Sequence, residues 1–382
     1  MGGGGEIAGE DGSVADLGEW GVIAALRARM PAGPLTSVGI GDDAAVVTTP
    51  SGSVVAAVDL VIEGRHFRRE WASGYDVGVK AAARSLADIA AMGAVNTALL
   101  VALATPGTLP ARWAADLAAG LAFEATRAGA GVVGGDTARA DIITLSVTAL
   151  GDLEGRRPVL RSGARPGDVI AVAGTLGHAA AGLALLTAGV AAAPEDPSSP
   201  EALSSLVTAQ LRPAPPYDAG PEAARLGATA MIDVSDGLLA DLGHVAAASG
   251  VHVNVHTSRL APGTALREAA ASLPASSASS RTNPAYSPPP IPLEVAKAAT
   301  REFSGAAGPL DSPAGVAGEG RLAAMALEWV LTGGEDHALV AAFPPEVTLP
   351  ARWRLIGEVR SGAGVTVDGT PHEGPGGWQH FS

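Results

Sequence analysis

Apolar residues recur along this chain with two different periods. Ile143, Leu145, Val147 and Ala149 alternate with Thr144, Ser146 and Thr148, the two-residue period of a strand with one buried face. SVVAAVDLVI (53–62) is apolar and β-branched and predicts a second strand, and GDVIAVAG, WRLIGEV and GVTVDG predict three more. YDVGVKAAARSLADIAAMG (75–93) and WAADLAAGLAFEATRAG (113–129) read as helices, each closed by a glycine. An amphipathic helix is expected over 14–30, ending before Pro31, and another over GHAAAGLALLTAG. GAGVVGGD predicts a short strand entering a glycine turn. TAMIDVSDGLLADLGHVAAASG predicts strand, turn and helix, and LEWVLTGGEDHALVAAF two strands around a glycine turn. Strands and helices mix without strict alternation, which fits α+β or mixed-sheet α/β.

The length of 382 residues suggests about two domains. Residues 1–16 read as a flexible Gly-rich tail, 17–152 as an N-terminal domain and 153–382 as a C-terminal domain. Inside the latter, 274–320 is rich in Pro, Ser, Gly and Ala and reads as a disordered insertion with one short helix over LEVAKAATREF. Residues 190–220 are rich in Ala, Pro and Ser and hold the turn-prone PAPPYD. Lys and Arg total 25 against 39 Asp and Glu, a net charge of -14, which argues against nucleic acid or an anionic membrane as the main partner. The absence of cysteine excludes disulfides, thiolate zinc sites and cysteine nucleophiles. With no apolar run of about 20 residues and no leader pattern, the expectation is a cytoplasmic protein.

Seven aspartates sit in five Gly- or Ala-flanked motifs: Asp42 and Asp43 in GIGDDAAVV, Asp59 in VVAAVDL, Asp88 in SLADIAAMGA, Asp136 in VVGGDT, and Asp233 and Asp236 in MIDVSDGLL. Carboxylates near a core are costly unless neutralised, and no comparable set of Lys or Arg accompanies them. A polynuclear divalent-cation site serving phosphate chemistry is the simplest account. Each motif also has a plain alternative. The DD pair fits a solvated loop. Asp59 with His66 behind it fits metal, phosphate or neither. Arg84 allows an intrahelical ion pair with Asp88. Gly134 and Gly135 fit a phosphate-binding nest or an ordinary turn. Ser235 or Asp236 fits a helix N-cap, and Glu335 and Asp336 fit a substrate pocket or a solvated hairpin tip. Arg156, Arg157, Arg161 and Arg165 offer planar forks to phosphate or form a solvated basic loop. A P-loop, a protein-kinase motif set and a GxSxG elbow are all missing.

Taken in order, GIGDDAAVV, EGRHF, SLADIAAMGA, GGDT, RSGARPGD, DVSDGL and GGED resemble the thiamine-monophosphate kinase family. That family lies within the aminoimidazole ribonucleotide synthetase and selenophosphate synthetase superfamily. The resemblance implies a two-domain fold: an N-terminal α/β domain whose mixed sheet pairs with a second copy in a dimerisation barrel, and a C-terminal α+β domain. It implies transfer of the ATP γ-phosphoryl group to thiamine monophosphate in a homodimer. It also implies that Asp43, Asp59, Asp88, Asp136, Asp233 and Asp236 hold several Mg²⁺ ions. Gly135, Asp136, Arg161 and Ser235 would contact ATP, and His66, Glu335 and Trp378 would contact the thiamine substrate. Ala57 and Val58 stand where the family usually carries Ser/Thr–Thr, so hydroxyl ligands are missing there and backbone carbonyls or water would replace them. The acceptor is already an ionised phosphate, so direct in-line transfer without a strong general base is expected. The rival readings are another ATP-using member of the superfamily with a different acceptor, and a non-catalytic protein that binds nucleotide or divalent cation.

Overall fold

A computed structural model describes residues 13–17, 21, 28–30, 33–38, 45–191, 200–274, 313–372 and 376–378, with side chains of 313–319 excepted. The chain divides into two units, Met1–Pro158 with Tyr217–Ala224, and Val159–Pro216 with Arg225–Ser382. In the first unit, β1 (Thr36–Val38) and β2 (Val46–Val47) form a small antiparallel pair. The main sheet holds β3 (Val55–Ile62), β4 (Val95–Thr105), β5 (Gly131–Arg139) and β6 (Thr144–Asp152) in the order β3-β6-β4-β5. It is mixed, because β4 and β5 run parallel and the other pairs antiparallel.

One face of this sheet carries α1 (Gly74–Ala91) and α2 (Ala111–Arg127). Val61, Leu99, Val101, Leu145, Val147 and Ala149 are buried beneath them. The alternation read at 143–149 is thus the burial pattern of an inner strand. On the opposite face Val58, Leu60 and Leu100 are 63%, 51% and 37% exposed. A capping box between Ser73 and Asp76 starts α1, and Gly93 (φ 76°) follows its end. The two helices touch backbone to backbone. A Cβ on Gly78 would stand 2.2 Å from the Leu117 carbonyl oxygen, and one on Gly120 would stand 2.1 Å from that of Tyr75. Tyr217 donates its hydroxyl to the Glu124 carboxylate, and the Arg127 guanidinium lies 4.5 Å from the Tyr217 ring centre. That contact ties the 217–224 segment to α2.

The second unit is built on a seven-stranded sheet. Its strands are β7 (Val169–Ala173), β8 (Ala230–Asp233), β9 (His252–Val255), β10 (Leu339–Phe343), β11 (Arg354–Arg360), β12 (Gly364–Val367) and β13 (Thr370–Pro371), in the order β13-β12-β9-β11-β7-β10-β8. Only β12 and β9 pair in parallel. Its helices are α3 (His178–Thr187), α4 (Glu201–Leu211), α6 (Leu238–Ser249), α7 (Thr264–Ser272) and α8 (Pro313–Thr332), while α5 (Ala219–Leu226) straddles the unit boundary. No helix among the described residues is long and apolar enough to cross a membrane.

Two expectations change. LEWVLT is the last part of α8 rather than a strand. It continues the run RLAAMALEWVL, whose Ala324, Leu327, Val330 and Leu331 are buried at helical spacing. The GAGVVGGD segment does not end in a turn: β5 runs through Gly134, Gly135 and Asp136, which pair with Leu100, Val101 and Ala102. Gly135 permits this, since a Cβ there would stand 1.9 Å from the Val101 carbonyl oxygen. The 190–220 stretch contains a full helix, α4, with Leu203, Leu206, Val207, Gln210 and Leu211 buried. The helix expected over 14–30 falls partly outside the described residues, as do Asp42 and Asp43. Of the expected insertion at 274–320, residues 275–312 lie outside them, and from Pro313 the chain is helical.

Gly120→Ala is expected to destabilise the protein by about 1–3 kcal/mol, because the obstructing atom is main chain and cannot turn aside. Denaturant unfolding measures this, and a midpoint like that of the parent would contradict the close helix contact.

Candidate active site

In the first unit, Asp59 is half-buried on β3 and faces α1. Ser85 Oγ on α1 lies 3.0 Å from Asp59 Oδ2, and an Arg84 guanidinium nitrogen lies 3.7 Å from Oδ1. This corrects the expectation that no basic group accompanies these carboxylates: Arg84 comes to Asp59 from another element. Asp88 is half-buried one turn beyond Ser85 and shares its side of the helix. Strand alternation puts Ala57 on the Asp59 face and Val58 on the other, with Leu60. His66 folds back from the turn after β3, and its Nδ1 accepts the Ile62 N–H at 3.1 Å. In a neutral ring this puts the proton on Nε2.

Asp136 is not brought to Asp59. Asp59 is level with Val147, Val101 and Gly135 across the sheet, so Asp136 emerges on the opposite face with Ala102. The two strands are the sheet's edges, roughly 14 Å apart at ordinary strand spacing. Asp136 is exposed and accepts the Thr137 N–H at 2.8 Å.

In the second unit, three loops close on one another. Asp233 ends β8 and is buried, with Oδ2 lying 3.0 Å from His337 Nδ1. Beyond the strand ends the main chains stay paired: Val234 N–H donates to Ala338 O, His337 N–H to Val234 O and Glu335 N–H to Ser235 O, each at 2.8 Å. The carboxyl-terminal segment joins them, since Trp378 N–H donates to Asp236 O at 2.9 Å. A Cβ on Gly334 would stand 2.5 Å from Ser235 O, and one on Gly377 would stand 2.3 Å from Asp236 O. The paired glycines of GGED and GGW therefore admit main chain to main chain. Ser235, Asp236, Glu335 and Trp378, all expected in the site, are gathered here by these bonds.

Neither Ser235 nor Asp236 caps α6; its N-cap is Gly237 with φ 135° and no side-chain bond. Asp241, from the first turn of that helix, instead accepts the N–H groups of Asp236 and Gly237 at 3.1 Å each. Burial, then the charges of Asp233 and Asp236, push its carboxyl up to about 8. Sequence reasoning missed Asp241. Its signal was a carboxylate five residues beyond Asp236, inside the first helical turn. Arg161 is exposed before β7, its carbonyl accepting from Ser249 Oγ at 2.9 Å. Arg156 pairs with Glu154 at 2.6 Å.

Residues 41–153 match the AIR synthase related protein, N-terminal domain, and residues 165–281 match the AIR synthase related protein, C-terminal domain. The two-domain architecture with mixed sheets and helices is thus of the AIR synthase related kind. Thiamine-monophosphate kinase of Mycobacterium tuberculosis is 42% identical over 378 residues, 98% of this chain and 95% of that protein. The crystal structure of thiamine-monophosphate kinase from Stenotrophomonas maltophilia K279a superposes with a TM-score of 0.66 at 30% identity, covering 92% of this chain and 95% of that one. A structure of AaThiL complexed with AMPPCP and TMP gives a TM-score of 0.66 at 29% identity, covering 96% and 98%. The chain belongs to the thiamine-monophosphate kinase family.

Asp336 has a structural task in this cluster. Its Oδ2 accepts the Gly177 N–H at 2.6 Å and its Oδ1 the Ala179 N–H at 2.9 Å, capping α3, whose own N-cap residue is glycine. Burial raises its carboxyl to about 7, against the pull of the N–H groups of Ala179, Gly177 and His178. A carboxyl whose folded pKa is raised gives its full stabilisation below its unfolded value near 3.8 and loses it as pH climbs through about 7. Between those limits this group is expected to lower unfolding free energy by up to roughly 4 kcal/mol. Asp336→Asn removes that slope, and also costs about 1–3 kcal/mol at pH 4 because an amide cannot accept both N–H bonds. Equal pH slopes for variant and parent in denaturant titrations would contradict this.

Proposed function

We propose that this chain transfers the γ-phosphoryl group of ATP to thiamine monophosphate, yielding thiamine diphosphate and ADP. The observation that carries the reading is the joining of DVSDG, GGED and GGW by main-chain hydrogen bonds, in a chain 42% identical to a thiamine-monophosphate kinase over nearly its whole length. On this reading Asp43, Asp59, Asp88, Asp136, Asp233 and Asp236 hold Mg²⁺. Gly135, Asp136, Arg161 and Ser235 bind ATP, and His66, Glu335 and Trp378 receive the thiamine substrate. An ATP-dependent biosynthetic reaction fits the cytoplasm.

The donor chemistry suits Mg²⁺. Carboxylate oxygens are hard ligands, and burial together with the nearby charges of Asp233 and Asp236 raises the Asp241 carboxyl to about 8, so added positive charge there is favoured. Among the described residues no three His, Asp or Glu side chains converge on one point. The fit is therefore to ions shared with substrate phosphates, the usual habit of Mg²⁺. Bound there, Mg²⁺ would screen the repulsion between the two polyanions and the charge developing on the leaving ADP. The residues themselves orient: Ser85 and Arg84 fix Asp59, and Trp378 N–H fixes the Asp236 main chain. Since Val58 faces away from Asp59, position 57 is the departure from the family's hydroxyl pattern that bears on that carboxylate.

A homodimer belongs to the same proposal. Val58, Leu60 and Leu100 leave an apolar patch on the sheet face opposite the helices, and Asp136 emerges on that face. Pairing of this face with a second copy, sheet to sheet, covers the patch as a barrel.

Asp88→Asn is expected to lower turnover at least about a hundredfold with unchanged circular dichroism, read by a coupled ADP assay with thiamine monophosphate, free thiamine or no acceptor, with and without Mg²⁺. Near-parental turnover in that variant would remove Asp88 from the cation set, and ADP formation indifferent to thiamine monophosphate would sink the assignment. Leu60→Glu is expected to convert dimer to monomer in light scattering at micromolar protein, whereas an unshifted mass would reject this face as the interface.

A further inference from the structure

His337 stands in the GGEDHAL segment, was assigned no role from sequence, and is 2% exposed. Its backbone is left-handed, φ 51°, an unfavourable state for a residue with a Cβ. Its Nδ1 lies 3.0 Å from Asp233 Oδ2. Its Nε2 is buried with no hydrogen-bond partner, a second unfavourable feature. The polar contact that offsets both is the one to Asp233, whose side chain is itself 5% exposed. A carboxylate only accepts, so Nδ1 carries the proton that meets Asp233 Oδ2. The main chain around the pair is held too: His337 N–H donates to Val234 O, and Val234 N–H to Ala338 O, both at 2.8 Å. Imidazole and carboxylate thus approach from the end of β8 and the segment just before β10, whose main chains are paired.

We propose that His337 is a positioning residue: its Nδ1–H holds Oδ2 of Asp233 so that the other carboxylate oxygen is presented to the nucleotide-bound divalent cation. The proposal rests on the reading that Asp233 serves a cation. A carboxylate free to rotate at the end of β8 would lose that orientation, whereas one pinned by the imidazole N–H keeps it. A second metal-binding carboxylate gains orientation in the same way from an outer hydrogen-bond partner in many metal sites.

The test compares His337→Phe, which keeps a ring and loses the donor, with His337→Asn, which keeps a side-chain N–H and tolerates the left-handed backbone. Binding of Mn²⁺ with AMPPCP, followed by electron paramagnetic resonance, is the main readout. His337→Phe is expected to weaken Mn²⁺ binding about tenfold and to raise half-saturating Mg²⁺ in the kinase assay equally, with KM for thiamine monophosphate changed less than twofold. His337→Asn is expected to stay within about threefold of the parent. Unchanged Mn²⁺ affinity in His337→Phe, failure of Asn to restore it, or a parallel rise in KM would overturn the proposal. Asp233→Asn separates the two levels. If it binds Mn²⁺ like the parent, the cation role of Asp233 falls and this inference with it. If it loses Mn²⁺ while His337→Phe does not, only this inference falls. Should His337→Phe not fold, nitrogen NMR of the parent decides: an Nδ1–H tautomer at His337 supports the proposal, and an Nε2–H tautomer overturns it.

Discussion

Buried negative charge is the constraint on which the rest of this molecule depends. A carboxylate withdrawn from water needs a partner, and those near the core are met in several ways. Asp59 has a hydroxyl and a guanidinium brought to it by α1. Asp233 has an imidazole. Asp241 and Asp336 have main-chain N–H groups, and both are still driven toward their protonated forms by burial. Those arrangements fix side-chain direction without fully cancelling the charge. On the proposed reading, the negative charge left uncancelled in each unit is what a cation, and through it phosphate, would meet.

The second constraint is steric and falls on glycine. Gly334 and Gly377 let three loops share main-chain bonds, and Gly78 and Gly120 let two helices meet without side chains between them. In both places a single Cβ would collide with a carbonyl oxygen rather than with a side chain that can turn away. Sites of this kind are rigid because their spacing is set by main chain. The helix pair carries Asp88 and supports the sheet that bears Asp59, so close packing at α1 and α2 is also a condition of carboxylate placement.

Much of this was legible in the sequence, for identifiable reasons. Alternation at 143–149 and the apolar run at 53–62 marked the strands that position Asp59, and glycine at 93 and 129 marked the helix ends. DVSDG, GGED and GGW were singled out, and the fold does gather them. The misreadings share a cause. LEWVLT has the local composition of a strand, and only the alanine-rich run before it makes it helix. GGD suggests a turn, yet glycine there serves a close strand contact. Asp241 and His337 escaped for different reasons: Asp241 turns back from an apolar helix start, LLADL, to the main chain of Asp236 and Gly237, and His337 meets a carboxylate 104 positions away. Arg84 was placed beside Asp88 by helical spacing, although the tertiary fold also turns it toward Asp59.

The central claim is that these carboxylates act on phosphates through divalent cations. Its most direct measurement is a crystal structure of the chain with AMPPCP, thiamine monophosphate and Mn²⁺, with the metal located by anomalous scattering. The account predicts Mn²⁺ ions bridging phosphate oxygens and the carboxylates of Asp88, Asp233 and Asp236. Metal bound by phosphate and water alone, with those aspartates turned elsewhere, would contradict it.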